Sequence, residues 1–249
     1  MNEQFAIQSA QYQFPYHYLV DIQQQEFSKN LGWGLDYYTY MKKAMQLVKK
    51  YAQDDILDIG CGDGFLLNNL MREPEMQRFQ AVGIDIDEKP IKFAQAFATD
   101  LPNTTFLCED IFQYERQFQL ISCVETLEHI PDDIISAFVK RIAELLLPGG
   151  TLVVSVPSVN TPLNKKHFRH YDSPLLKSYF PDFEALEEHF ISKKNTRLYK
   201  GIQFLLCNRH LNLNFSPFRD VLLGIHQNSM TDGTPNNCGH VMMVFKKSL

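Results

Sequence analysis

The sequence is short of several things, and each absence excludes a class of protein. Its 249 residues include five cysteines, at positions 61, 108, 123, 207 and 238. They are odd in number, widely spaced, without a CxxC pair, and mostly inside apolar runs, so neither a disulfide framework nor a cysteine-based zinc site is expected. They read as small core residues. Positive charge is also scarce: 24 Lys and Arg stand against 29 Asp and Glu, for a net charge of −5. That balance argues against a broad nucleic-acid surface and requires any anionic partner to be met by a local pocket. No apolar run approaches the roughly 18 residues that span a bilayer. The opening "MNEQFAIQSAQYQF" lacks a charged segment followed by an apolar one, so a soluble, cytoplasmic protein is expected. Internal repeats and low-complexity segments are absent too.

What is present is alternation. "DILDIG" (55 to 60), "QAVGIDI" (80 to 86), "TTFLCED" (104 to 110), "QLISCVE" (119 to 125) and "GTLVVSVP" (150 to 157) are strand-length and almost continuously apolar, as strands buried on both faces of a parallel sheet are. Between them, "GFLLNNLMREPEM", "DEKPIKFAQAFATD" and "PDDIISAFVKRIAELLLPGG" carry helical spacing. The last reads as a helix starting at Pro131 and its two Asp residues and stopping at Pro148-Gly149-Gly150. Repeated βα units predict a doubly wound α/β sheet. With 45% hydrophobic residues, the chain can bury one sizeable core, so a single domain over 1–249 is expected.

Four parts are distinguished within it. Residues 1–50 are aromatic and Gln-rich, with a helix predicted over about 35 to 52 and with "FPYHYL" and "YYTY" as candidate apolar lid or core elements. Residues 51–157 form the alternating core. Residues 158–239 break the alternation, with a helix predicted from about 173 and a strand in "EALEEHFISKKN". Residues 240–249 supply a final strand. Ligands of open α/β sheets bind beyond the carboxyl ends of the strands, so the two irregular parts are the expected walls of an acceptor pocket.

The strongest motif is "ILDIGCGDGF", residues 56 to 65. A strand ends at Asp58, and Gly60, Gly62 and Gly64 allow a tight turn and a close approach to a ligand before a helix begins. The spacing is GxGxG; a dinucleotide fingerprint would need its third Gly at position 65, which is Phe65. The next strand closes on "GIDID", which sets Asp85 where an acid accepts from ribose hydroxyls. A ribose is therefore expected, and a pyrophosphate is not.

"LDIGCGDG" resembles the DxGxGxG signature of class I S-adenosylmethionine-dependent methyltransferases, and "VGIDID", "LCEDI" and "LISCVETLEHI" follow in that family's order. The resemblance is close over roughly residues 50 to 157. It implies a Rossmann-like, mostly parallel seven-stranded sheet with S-adenosyl-L-methionine as cofactor. It also implies that Gly60, Cys61, Gly62 and Gly64 flank the methionine part and that Asp58 supports this loop. Asp85 would hold the ribose hydroxyls, Ile86 would pack on the adenine, Asp110 would accept from its amino group, and Ile111 would lie beside it.

Methyl transfer from a sulfonium is an in-line displacement, so the acceptor chemistry must come from residues beyond the fourth strand. There stands "ETLEHIPDD". If residues 125 to 129 form a helical turn, Glu125, Glu128 and His129 share a face and can converge on Mg²⁺ or Mn²⁺. An ion there would lower the pKa of an acceptor hydroxyl. Without one, the same groups would position or deprotonate the acceptor. The segment resembles both the ExxEHxPD stretch of quinone-biosynthesis O-methyltransferases and the ExxEH metal motif of small-RNA 3′-terminal 2′-O-methyltransferases. The RNA enzymes carry a further His in a segment of the type RHxDHxFEW, where this chain keeps Arg169, His170 and Asp172 but has Ser173 and no Phe-Glu-Trp.

Finally, "NKKHFRHYD" gathers Lys165, Lys166, His167, Arg169 and His170 just past the fifth strand, which suits an anionic acceptor. His129 and His170 are candidate catalytic bases, with His167 as a third. His170 or His167 is also the candidate fourth metal ligand. The expected activity is methylation of oxygen on a small-molecule or glycan-type acceptor. A quinone-like phenol, an RNA 3′-terminal hydroxyl, or a partner protein that binds the cofactor without turning it over are the alternatives.

Overall fold

The computed structural model describes residues 3–9, 27–192, 201, 204–205, 217, 220–221, 224–225, 228 and 233–248. Within them the apolar runs lie side by side. Strands β1 (Ile56–Ile59), β2 (Ala81–Asp85), β3 (Thr104–Cys108), β4 (Phe118–Val124), β5 (Leu146–Pro157), β6 (Phe183–Ile191) and β7 (His240–Lys247) form one sheet in the order β3-β2-β1-β4-β5-β7-β6. The first five are parallel, and β7 runs antiparallel between β5 and β6. The chain leaves β1 toward one edge and returns at β4 toward the other, so the strand order reverses between them and opens a crevice.

Alternate residues of each strand enter different layers, which is why the runs are apolar throughout. One layer takes Leu57, Ile59, Ile121, Cys123, Leu152 and Val154 against Phe138, Val139, Ile142 and Leu145 of helix α5 (Ile135–Leu145). The other takes Ile56, Leu120, Val153, Met242 and Val244. They pack on Ala44, Leu47 and Val48 of α2 (Phe27–Tyr51), on Leu66, Leu67 and Leu70 of α3 (Phe65–Leu70), and on Ile91 and Ala94 of α4 (Glu88–Phe97). A short helix, α1 (Glu3–Ser9), precedes them.

Several boundaries differ from the sequence reading. Helix α2 starts at Phe27, ahead of the expected 35. Helix α5 starts at Ile135, because residues 131–134 form a turn whose Pro131 carbonyl accepts from the N–H groups of Ile134 and Ile135. Pro148-Gly149-Gly150 does not end this helix in a loop. Leu146 is already paired with Phe118, and a register shift, with Gly149 at φ 72°, carries the chain on to Thr151 opposite Leu120. Burial of both Leu146 and Phe118 holds that early pairing. Cys61, Cys123 and Cys238 are buried as expected, but Cys108 is exposed, since β3 is an edge strand. Cys207 and "FPYHYL" (14 to 19) lie outside the described residues.

After β5 the chain arches over the carboxyl ends of β4 and β5. Tyr171 returns to the sheet through a bridge to Ser158, its N–H on the Pro157 carbonyl and its fully buried hydroxyl on the Leu127 carbonyl at 3.0 Å. Helix α6 (Ser173–Ser178) follows, with the Asp172 side chain capping it by accepting from Leu175 N–H. Among the described residues no helix is long and apolar enough to cross a membrane.

Candidate active site

The crevice is a cleft of about 840 Å³ at the carboxyl ends of the central strands, within the span of ligand pockets, about 300–1,000 Å³. Its floor is the loop from Gly60 to Asp63. Gly60 (φ 70°) and Gly62 (φ 53°) take left-handed backbone, which L side chains seldom adopt. A Cβ on Gly60 would lie 2.3 Å from Thr126 Oγ1 and 2.5 Å from its Cγ2. The first glycine is thus needed both for its backbone and for the contact that joins this loop to the end of β4.

Asp58 is buried beneath the loop and accepts a 2.7 Å hydrogen bond from Ser122 Oγ. Burial raises its pKa to about 7, the serine bond opposing the rise and the nearby Asp85 charge adding to it. Asp85 accepts from the N–H of Gly62 (3.0 Å) and of Asp87 (2.9 Å). Burial raises its pKa as well, against those two bonds. Each oxygen keeps lone-pair capacity for a further donor, and Asp85 lines the cleft. Ile86 stands 62% exposed on the cleft wall. Asp110 accepts from Phe112 N–H at 3.0 Å, and Ile111 is buried behind it.

Of the residues the family resemblance assigns to the cofactor, Asp58, Gly60, Cys61, Gly62, Asp85, Ile86, Asp110 and Ile111 line the cleft. Gly64 does not. It is the N-cap of α3, where a Cβ would lie 2.6 Å from the ring of Phe106, so its lack of a side chain serves packing. Cys61 Sγ is turned against Gly83 of β2, and burial pushes this thiol well above its ordinary pKa. Phe112, 44% exposed on the cleft wall, was missed by the sequence reading; an apolar residue following Asp110 at a strand end was the available signal.

The acceptor side departs further from expectation. Residues 125 to 129 do not form one helical turn. Glu125 has φ 53°, and a 3₁₀ turn begins only at Leu127. The Glu125 carboxylate is therefore committed elsewhere: Oε1 accepts from Ser155 Oγ at 2.6 Å and from His240 Nδ1 at 3.0 Å. Burial alone would raise its pKa, but the charge and hydrogen bond of His240, with the Ser155 bond, outweigh burial and hold the group below the usual carboxylate range. Glu128 is 1% exposed. Its Oε2 has no hydrogen-bond partner among the described residues, and its Oε1 lies 3.7 Å from His129 Nε2. Burial, reinforced by the charge of Glu125, drives this carboxyl well above its ordinary pKa.

Backbone carbonyls set the histidine tautomers, since a carbonyl can only accept. His129 Nδ1 faces the Lys166 carbonyl at 3.1 Å, so Nδ1 carries the proton and Nε2 presents a lone pair. His170 Nδ1 faces the Thr161 carbonyl at 3.1 Å, and its Nε2 lies 2.8 Å from His167 Nδ1. His170 Nε2 must then accept from His167 Nδ1, which leaves His167 Nε2 as a lone pair. Burial and the charge of Lys166 lower His129 to about 4. Burial and the neighbouring His129, Lys166 and His170 lower His167 to about 3. Burial also lowers His170.

One ligand atom each from Glu128, His129 and His167 lies within 4.8 Å of the others. The grouping expected from the sequence was Glu125, Glu128 and His129 with His170 or His167 as the fourth ligand; of the two, the structure brings His167 to the group. Glu125 instead turns toward β5 and β7, and His170 stands behind His167 with both ring nitrogens engaged.

The basic cluster is also redistributed. Lys165 is exposed. Arg169 pairs with Asp132, Nε to Oδ1 at 3.0 Å, and donates to the Leu127 carbonyl. Lys166 remains on the cleft wall, its pKa lowered by burial against the pull of Glu128 and Glu125. Ser173 bonds to Glu188. The group that sequence reading missed is His240. It heads strand β7 ahead of the apolar run "VMMVF", lines the cleft, and lies 4.4 Å, ring centre to ring centre, from Tyr40. A single polar residue at the mouth end of "HVMMVF" was its one signal.

Comparison with known proteins bears on the family and the fold. A family model described as a methyltransferase domain matches residues 35–211. Among curated relatives, the ubiquinone biosynthesis O-methyltransferase of Serratia proteamaculans is 30% identical over 111 residues, 43% of this chain and 44% of that protein. The corresponding protein of Coxiella burnetii is 31% identical over 125 residues, 49% of each chain. The chain thus spans about half the length of the curated relatives it matches. Among solved structures, an N-methyltransferase from Bradyrhizobium japonicum WM9 in complex with S-adenosyl-L-homocysteine superposes with a TM-score of 0.62 at 13% identity, covering 99% of both chains. The magnesium protoporphyrin IX methyltransferase from Synechocystis PCC 6803 gives 0.60 at 14% identity, covering 98% of this chain and 95% of that one. These structural likenesses concern the fold.

Proposed function

Because the chain belongs to the class I S-adenosylmethionine-dependent methyltransferases, we propose that it transfers the cofactor's methyl group to a hydroxyl oxygen of a small-molecule acceptor. One observation carries this reading. Thr126 packs on Gly60, so the polar residues on either side of it, Glu125 and Glu128-His129, stand beside the loop that would carry the methionine part of the cofactor. A hydroxyl, unlike a neutral amine, must lose its proton as it attacks, and acid/base and ion-binding groups at that point meet the need. The relatives named as O-methyltransferases support the same reading. The acceptor is polar or anionic and of glycan or phenol type, in keeping with Lys166 on the cleft wall. An RNA acceptor finds less support: Arg169 is neutralised by Asp132, and Asp172 and Ser173 serve helix α6.

The donor set fits a divalent ion. The unpartnered Oε2 of buried Glu128 and the Nε2 lone pairs of His129 and His167 would hold it, the ion competing with a proton at each donor. Two imidazoles with one carboxylate favour Mn²⁺ over Mg²⁺. When bound, the ion supplies Lewis acidity toward the acceptor oxygen. The Thr161 carbonyl and His170 fix His167, and the Lys166 carbonyl fixes His129, as outer partners of metal-binding histidines do.

The test is turnover of methyl-labelled S-adenosylmethionine with catechol, a methyl glucoside, benzylamine and thiophenol. Each is run with EDTA and again after addition of Mn²⁺ or Mg²⁺. Label on a hydroxyl acceptor supports the reading; label confined to benzylamine or thiophenol overturns it.

A further inference from the structure

We propose that His240, held by Glu125, is the general base that takes the proton of the acceptor hydroxyl. The inference rests on the O-methylation reading above. His240 Nδ1 donates to Glu125 Oε1 at 3.0 Å, and Ser155 Oγ donates to the same oxygen at 2.6 Å. A carboxylate on Nδ1 fixes the ring and its tautomer, leaving Nε2 as the proton acceptor, and it stabilises the imidazolium that forms.

Three further features favour this pair over the other cleft histidines. His170 has both ring nitrogens hydrogen-bonded. The Nδ1 protons of His129 and His167 go to a backbone carbonyl and to His170, neither of which offers a counter-charge for an imidazolium. His240 alone among the described cleft histidines has a carboxylate accepting from Nδ1. Glu125 is also bound to its place by the backbone: its N–H donates to the Ser155 carbonyl at 2.8 Å, in a left-handed conformation strained for a side chain. Thr126, the next residue, touches Gly60. A chain of direct contacts thus runs from the cofactor loop through Glu125 to His240.

In the step itself, the acceptor oxygen forms its bond to the methyl carbon as the carbon–sulfur bond breaks and that electron pair stays on sulfur. His240 Nε2 receives the hydroxyl proton and releases it to solvent afterward. The products are the methyl ether, S-adenosylhomocysteine and one proton. The charged and titratable groups facing His240 are Glu125 just after β4, Tyr40 from α2 and His170 from the arch after β5.

The experiment uses the full chain in two arms. In the first, ¹⁵N-histidine NMR of the complex with S-adenosylhomocysteine at alkaline pH reads the His240 tautomer. Protonated Nδ1 with bare Nε2 supports the proposal, and protonated Nε2 overturns it. In the second, kcat and KM are followed against pH with whichever hydroxyl acceptor of the four-compound set is methylated. His240→Gln should lower kcat about 100-fold or more and abolish the acidic limb of its pH profile, while S-adenosylhomocysteine affinity by calorimetry stays within about twofold. Glu125→Gln, altering a positioning residue, should lower kcat by about tenfold and let both His240 tautomers appear in the ¹⁵N spectrum. A His240→Gln protein that binds S-adenosylhomocysteine and keeps the acidic limb overturns the proposal while leaving O-methylation intact. Label appearing only on benzylamine or thiophenol removes both. If none of the four compounds is methylated, or if the glutamine variant fails to bind S-adenosylhomocysteine, the tautomer decides.

Discussion

Replacing Gly60 with alanine inserts a methyl group at the joint between the cofactor loop and the end of β4. The new Cβ meets Thr126 Oγ1 at 2.3 Å, Cγ2 at 2.5 Å and Cβ at 3.0 Å, all closer than van der Waals contact. Thr126 cannot turn away freely, since its hydroxyl donates to the Ile59 and Val124 carbonyls at 3.3 and 3.2 Å. Overpacking of this kind costs roughly 1–3 kcal/mol. The left-handed backbone of residue 60, φ 70°, costs a non-glycine residue about 1–2 kcal/mol more. The total of roughly 2–5 kcal/mol must appear either as a Tm lowered by about 5–15 °C or, if the loop yields, as cofactor affinity weakened by about 30-fold or more. Differential scanning calorimetry and titration with S-adenosylhomocysteine read the two quantities. The double variant Gly60→Ala, Thr126→Ala removes the two shortest contacts. In the Thr126→Ala background, Gly60→Ala should cost about 1–3 kcal/mol less than it does in the wild type, leaving the backbone part. A Gly60→Ala protein with wild-type Tm and affinity would refute the reasoning, as would strict additivity of the two substitutions.

Asp85→Asn leaves one acceptor oxygen where Asp85 serves both Gly62 and Asp87, so S-adenosylhomocysteine should bind about 10- to 100-fold more weakly by calorimetry. Asp58 has a folded pKa of about 7 set chiefly by burial, above the unfolded value of about 3.9. The folded state therefore holds the proton more tightly, and stability falls as pH rises from about 4 to about 7, by up to roughly 4 kcal/mol from this group. Urea unfolding of Asp58→Asn across that range should show this part of the slope removed, and an unchanged slope would reject it. Glu128→Gln and His167→Ala should each abolish stoichiometric Mn²⁺ uptake measured by elemental analysis. EDTA should lower wild-type turnover, and added Mn²⁺ should restore it.

The cofactor half was legible because its signals are local. Continuous apolar runs report strands buried on both faces, and "LDIGCGDG" places a strand, a turn and a helix start within a few residues. The acceptor half was not, and the reasons lie in particular residues. The spacing of Glu125, Glu128 and His129 suggests one helical face. However, Glu125 takes a left-handed backbone, a choice set by its hydrogen bond to β5 rather than by its neighbours in sequence. His240 is 115 residues from Glu125 and reaches it only because β7 inserts antiparallel beside β5. His167 and His170 are equivalent as letters, and the return of the chain at Tyr171 puts His167 in front and His170 behind. The cluster "NKKHFRHYD" looks strongly cationic, yet Asp132 pairs with Arg169 and burial lowers the pKa of both its histidines. Gly64 matches the signature in position, but it packs on Phe106 rather than on the cleft.

The most direct measurement of the central claim is ¹³C NMR of the product formed from methyl-¹³C S-adenosylmethionine and the acceptor set, with Mn²⁺ present. Transfer to oxygen predicts a methyl resonance in the methyl-ether region together with an equal amount of S-adenosylhomocysteine. A resonance in the N-methyl or S-methyl region would contradict it.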